Sequence, residues 1–119
     1  MTTNKSTNED TANIDAIAKV LLSHGEMFHG GRAKEIAREW DGYDFTAAGV
    51  DRWCRVGVWD AATAKAFVEA GMTPSSVART AERMVKADGA DAYTDGCPIY
   101  AACNGDVDPK RIVDAYHNG

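Results

Sequence analysis

Two consecutive stretches, TAAGVDRWCRVGV at residues 46–58 and DAATAKAFVEAGM at residues 60–72, decide the fold. Overlaid at an offset of 14, Thr46 falls on Asp60, Val50 on Ala64, Trp53 on Phe67, Gly57 on Gly71 and Val58 on Met72. Each unit reads as a capping residue, a run of helix formers, a terminal glycine and one apolar residue after it. The cap side chain satisfies free N–H groups at the helix start. The glycine takes the left-handed turn that ends it, and the following apolar residue packs back on the last turn. The pattern therefore predicts short helices joined by tight glycine turns.

The same grammar extends outward. A third unit opens at Thr73 with Pro74 in the first helical position, where the missing N–H costs nothing. It continues through Val77, Ala81, Met84 and Val85 to Gly89. A last unit, DPKRIVDAYHNG at residues 108–119, has Asp108 as cap, Pro109 first, Ile112 and Tyr116 as its apolar stripe, and Gly119 at its end. Towards the N-terminus, Ala33, Ile36, Ala37 and Trp40 share one face of a helix over about residues 32–41. Ile14, Ile17, Ala18, Leu21 and Leu22 share another, capped by Thr11 or Asn13 and stopped by Gly25, with Gly30 and Gly31 separating the two. Residues 90–105 read as loop around one short helix near residues 98–103. No stretch alternates with period two, so no sheet is expected. The fold class is all-α: a compact bundle of about six short helices, with residues 1–12 a disordered polar tail and 13–119 a single helical domain. Helices this short are marginal alone. Trp40, Trp53, Trp59 and Phe67 are the side chains expected to supply most of the buried area.

Composition narrows the function classes. The chain has 119 residues and a formal net charge of −5. Residues 32–85 balance eight acids with eight bases, while residues 86–119 hold six acids and three bases. A nucleic-acid surface normally carries a basic excess, so an acidic chain is better suited to a basic protein surface. The first 13 residues are polar and do not resemble a signal peptide, so none is expected. The stretch over residues 14–22 is too short and too charged to span a bilayer, so a cytoplasmic location is expected. The three cysteines, Cys54, Cys97 and Cys103, form no CxxC pair, and reduced thiols are expected.

Catalytic and metal chemistry find little footing. Cys97 and Cys103 are spaced too widely for a usual zinc pair, although His24 and His29 fit the histidine half. Counting an EF-hand from Asn104 puts Pro109 where glycine is needed and Ala115 where glutamate is needed. No phosphate loop, nucleophile elbow or HExxH helix is present. Cys54, beside the core-facing Trp53, reads as structural. The expectation is a binding protein, not an enzyme, with no cofactor and no metal.

Two partner readings stand side by side. The segment AFVEAGMTPSSVARTAERM at residues 66–84 resembles the helix-turn-helix of bacterial repressors. That resemblance implies Ser75, Ser76 and Arg79 facing base edges, with Arg83 near phosphate. The chain departs from it at Phe67, where repressors keep a small residue.

The longer run REWDGYDFTAAGVDRWCRVGVWDAATAKAFVEAGMTP resembles small helical proteins of phages and plasmids. Within that group it is similar to anti-CRISPR proteins that act on type I surveillance complexes. The resemblance covers roughly residues 33–77 and rests on the spacing of its tryptophans, GVWD and the AG-TP turn. It implies a stoichiometric inhibitor that docks on a crRNA-guided complex with basic surfaces and blocks target DNA, in a bacterial host cell. Asp41, Asp44, Asp51, Asp60, Asp88, Asp91 and Asp95 are the acidic residues expected to form the docking face. The alternative is a DNA-binding transcriptional regulator of a mobile element. Solvated caps and helix faces also carry such acids.

Overall fold

The computed structural model describes residues 2–25 and 32–118, with side chains from residue 12 onward. The protein is all-α: the described residues form seven α-helices and two 3₁₀ turns, with no strand among them. The chain divides into two compact units, Met1–Arg55 and Val56–Gly119.

The first unit holds α1 (Thr2–His24), α2 (Arg32–Gly42) and α3 (Ala47–Arg55), with α1 packed on both others. Ile17, Ala18 and Leu21 of α1, Ala33, Ala37 and Trp40 of α2, and Val50 and Trp53 of α3 are buried. The first helix starts at Thr2, ahead of the Thr11 or Asn13 cap read from the sequence. Nothing in the polar segment before Asn13 forbids helix, since it lacks glycine and proline. Asn13 is instead a tie between elements. Its Nδ2 donates to Asp41 Oδ1 at 2.7 Å and to the Phe45 carbonyl at 3.1 Å. Gly30 and Gly31, expected to separate the first two helices, and His29 lie outside the described residues.

Helix α2 ends by a route the sequence does not advertise. Asp44 takes the left-handed conformation, with φ of 68°. The Phe45 N–H donates to the Trp40 carbonyl at 3.1 Å and the Asp44 N–H to that of Asp41 at 2.9 Å. This is a Schellman closure with aspartate where glycine is usual. Its apolar contact is Phe45 meeting Trp40 edge to face, ring centroids 4.8 Å apart.

The second unit holds α4 (Ala61–Glu69), α5 (Pro74–Asp88), 3₁₀ turns at Ala90–Ala92 and Thr94–Gly96, α6 (Pro98–Cys103) and α7 (Pro109–Asn118). Asp60 Oδ2 accepts from the Thr63 N–H at 3.0 Å and caps α4. The Met72 N–H returns to the Phe67 carbonyl at 2.9 Å and the Gly71 N–H to that of Val68 at 3.0 Å, with Gly71 at φ 83°. Met72, five residues after Phe67, is buried and closes the same motif. Helix α7 packs on α4, α5 and α6. Phe67, Val77, Thr80, Met84, Ile99 and Ile112 are among the buried side chains of this unit. Tyr116, expected in the stripe with Ile112, is 36% exposed. Gly119, the expected helix stop, lies outside the described residues.

Candidate functional site

Of the seven aspartates expected to form a docking face, three belong to the first unit. Asp41 accepts from Asn13, and Asp44 is the exposed left-handed cap described above. Asp51 is engaged twice: Oδ1 lies 2.8 Å from His24 Nε2 and Oδ2 accepts from Arg55 Nε at 2.8 Å. These contacts tie the end of α1 to α3 and give Asp51 a local role.

The Asp51 carboxyl is held below its ordinary pKa of 3.8, chiefly by the hydrogen bond with His24, with Arg55 adding and partial desolvation opposing. Its folded pKa lies below its unfolded one. The contact therefore contributes fully above pH 3.8 and is lost as pH falls through the lowered value. In an NMR titration, the Asp51 carboxyl of the folded protein should show a midpoint below 3.8 that rises in His24→Ala. An unchanged midpoint in that variant would remove His24 as the cause.

The other four aspartates lie in the second unit. Asp60 is committed to the α4 cap. Asp88, at the end of α5, accepts from the Tyr93 hydroxyl. Tyr93 is buried, its ring lies 5.9 Å from the Arg111 guanidinium, and its hydroxyl pKa is raised, first by Asp88 and then by burial. This anchor fixes the 3₁₀ segment against the helices. Asp91 and Asp95 are exposed on that segment and have no partner among the described residues. Thr94 Oγ1 donates to Asp106 Oδ2 at 2.6 Å, which brings the turn after α6 beside the same segment. Asp106 and Asp108 are exposed there. These aspartates form one acidic loop cluster, apart from the exposed acids Glu69, Glu82 and Asp114 of the helices, and Asp91 and Asp95 are its uncommitted members. Asp106 joins it through a contact twelve residues away in sequence, which composition alone does not reveal.

The helix-turn-helix candidates lie on α5. Ser75 is exposed, and Arg79 and Arg83 stand one turn apart on the outer face. Ser76 does not face outward. It is buried, its N–H donates to Thr73 Oγ1 at 3.2 Å, and its Oγ accepts from the Thr73 N–H at 2.8 Å. A reciprocal capping box therefore consumes the side chain expected at a base edge. The large Phe67 is fully buried in α4 where the repressor motif keeps a small residue.

Among the described residues no group of three His, Cys, Asp or Glu could hold a metal ion. No disulfide joins the cysteines. Cys103 is buried, and burial pushes its thiol pKa up, the opposite of what a reactive thiolate needs. No described helix is long and apolar enough to cross a membrane.

Fold and surface thus define an all-α protein with an acidic loop cluster and a separate pair of outward arginines. Set against known protein families, curated proteins and solved structures, the chain matches none of them.

Proposed function

We propose that the protein is a non-enzymatic, stoichiometric inhibitor that docks through acidic residues on a partner with a basic surface. In keeping with the resemblance of residues 33–77 to anti-CRISPR proteins, the partner is a type I crRNA-guided surveillance complex in a bacterial cytoplasm. The consequence of docking is loss of target DNA binding. One observation supports this most: residues 87–109 contain five aspartates and no Lys, Arg or His. Asp91 and Asp95 at its exposed turns are left without internal partners among the described residues. Carboxylates that do nothing for the fold cost nothing to present, and complementary charge raises association rate and specificity. The reading calls for no active site and no cofactor.

The test is capture of a purified type I surveillance complex on the immobilised protein, followed by target-DNA binding of the captured complex. Capture with loss of DNA binding is expected. The double change Asp91→Asn with Asp95→Asn should weaken it by roughly tenfold at low salt and less at high salt. Equal capture by the double variant at every salt concentration would sink the acidic docking face. A DNA-binding regulator is the second reading, supported by Arg79 and Arg83 on the outer face of α5. Salt-sensitive retention of duplex DNA, lost in Arg79→Ala with Arg83→Ala, would favour it over the inhibitor.

A further inference from the structure

The outward arginines of α5 border a groove. Between α5 and α7 lies a cleft of about 450 Å³ lined in part by Arg79, Thr80, Arg83 and Tyr116. It shares Thr80 and Arg83 with a second cleft of about 280 Å³ that continues past Met84 and Ala115. The floor is made of buried or small side chains, and Tyr116 stands at the rim, partly exposed.

The charges around this groove are arranged unevenly. Arg79 and Arg83 are four residues apart on one helix, a separation of about 6 Å along the axis. Two like charges at that spacing disfavour the helix that carries them. Glu82, the carboxylate between them in sequence, is drawn to Lys86 at 3.6 Å. No ion pair neutralises either arginine among the described residues. Arg83 Nη2 reaches the Ala115 carbonyl at 3.4 Å, a long bond that keeps its guanidinium over the groove beside α7. What sets this pair apart from other exposed arginines such as Arg38 and Arg52 is its place on the rim of a cleft, beside the partly exposed Tyr116 and the buried Thr80 and Met84.

We infer that the α5–α7 groove is a docking site for an acidic amphipathic segment of a partner protein. The segment is helical: two carboxylates one turn apart engage Arg79 and Arg83, and apolar side chains of the same face cover Thr80, Met84, Ala115 and Tyr116. Guanidinium forks bind carboxylates in pairs of parallel hydrogen bonds. An amphipathic helix laid in an apolar groove is a recurrent mode of recognition. A nucleic-acid strand fits less well. Glu82 and Asp88 line the same groove and repel any acidic occupant, but a strand carries a phosphate at every nucleotide, whereas the segment needs only the two carboxylates that meet the arginines. The buried Ser76 further removes one hydroxyl from base recognition. The inference does not depend on the inhibitor reading above.

The test measures binding of the full chain to a pool of fluorescent helical peptides with two glutamates one turn apart and randomised apolar residues on the same face. A pool with glutamines in those positions and a single-stranded oligonucleotide serve as comparisons. The glutamate pool should bind and the glutamine pool should not. Binding should fall roughly tenfold in Arg79→Gln with Arg83→Gln, the loss of two charge-assisted contacts. It should weaken in Tyr116→Ala. It should strengthen severalfold in Glu82→Gln, which removes a repelling carboxylate. That opposite sign cannot come from unfolding. Equal affinity for both pools, no binding by either, or indifference to the arginine changes would overturn the site. Oligonucleotide retention that exceeds peptide binding and is lost with the arginines would reassign it to nucleic acid.

Discussion

Replacing Phe67 by alanine is expected to lower the unfolding free energy by about 3–5 kcal/mol. The ring is fully buried in α4, so its removal leaves a cavity as well as losing apolar contact. The turn that aims α5, in which the Phe67 carbonyl accepts the Met72 N–H at 2.9 Å, is made by the backbone and survives the substitution, so the cost is that of the lost ring. Met72, 3% exposed, seals the same turn. Against a total stability of about 5–15 kcal/mol, such a loss brings the protein near its unfolding threshold at ordinary temperature. Thermal melting followed by circular dichroism should show a fall of more than about 10 °C. Phe67→Leu, which keeps most of the volume, should cost less than about 1.5 kcal/mol. An unchanged melting temperature in Phe67→Ala would mean that the ring is not part of the core. The result also bears on the repressor resemblance, because a side chain that the core needs at this size leaves no room for the close helix crossing of that motif.

What could be read from the sequence is the chemistry of helix ends. Asp60 as cap, Gly71 and Met72 as stop, Thr73 with Pro74 as the next start, and Asp108 before Pro109 all act within a few residues of themselves. Their hydrogen bonds are the ones expected. Features that depend on distant partners were illegible. Asn13 reads as a cap because asparagine caps helices, yet its amide is used across to Asp41 and Phe45, 28 and 32 residues away. Asp44 hides the end of α2 because an aspartate at positive φ looks in sequence like any surface acid. Ser76 shows a different ambiguity. A serine three residues after Thr73 suits a capping box and the start of a recognition helix equally, and only burial separates them. Of the candidate acidic face, the residues were visible but their obligations were not: Asp41, Asp51, Asp60 and Asp88 hold the fold together through their carboxylates and Asp44 through its backbone, leaving Asp91 and Asp95 uncommitted among the described residues. The α5–α7 groove had no local signature at all, since it forms where residues near 80 meet residues near 115.

In the first unit, Trp40→Ala should be the most damaging single change, again by about 3–5 kcal/mol. The indole is fully buried on α2, and its ring supports Phe45 at the turn into α3. Phe45 in turn accepts from Asn13 through its carbonyl, so loss of the ring loosens the tie to α1. Trp40→Phe separates the contribution of the ring from that of the indole nitrogen. Trp40 Nε1 is buried and has no hydrogen-bond acceptor among the described residues. A buried donor without a partner costs roughly 1–3 kcal/mol, and phenylalanine removes the donor along with part of the volume. The two effects oppose each other, so Trp40→Phe should cost only about 1 kcal/mol or less. Denaturant unfolding followed by far-ultraviolet circular dichroism measures both variants without relying on tryptophan fluorescence. A Trp40→Phe variant as unstable as Trp40→Ala would show that the indole N–H makes a bond on which the fold depends. The edge-to-face contact with Phe45 would then be secondary to it.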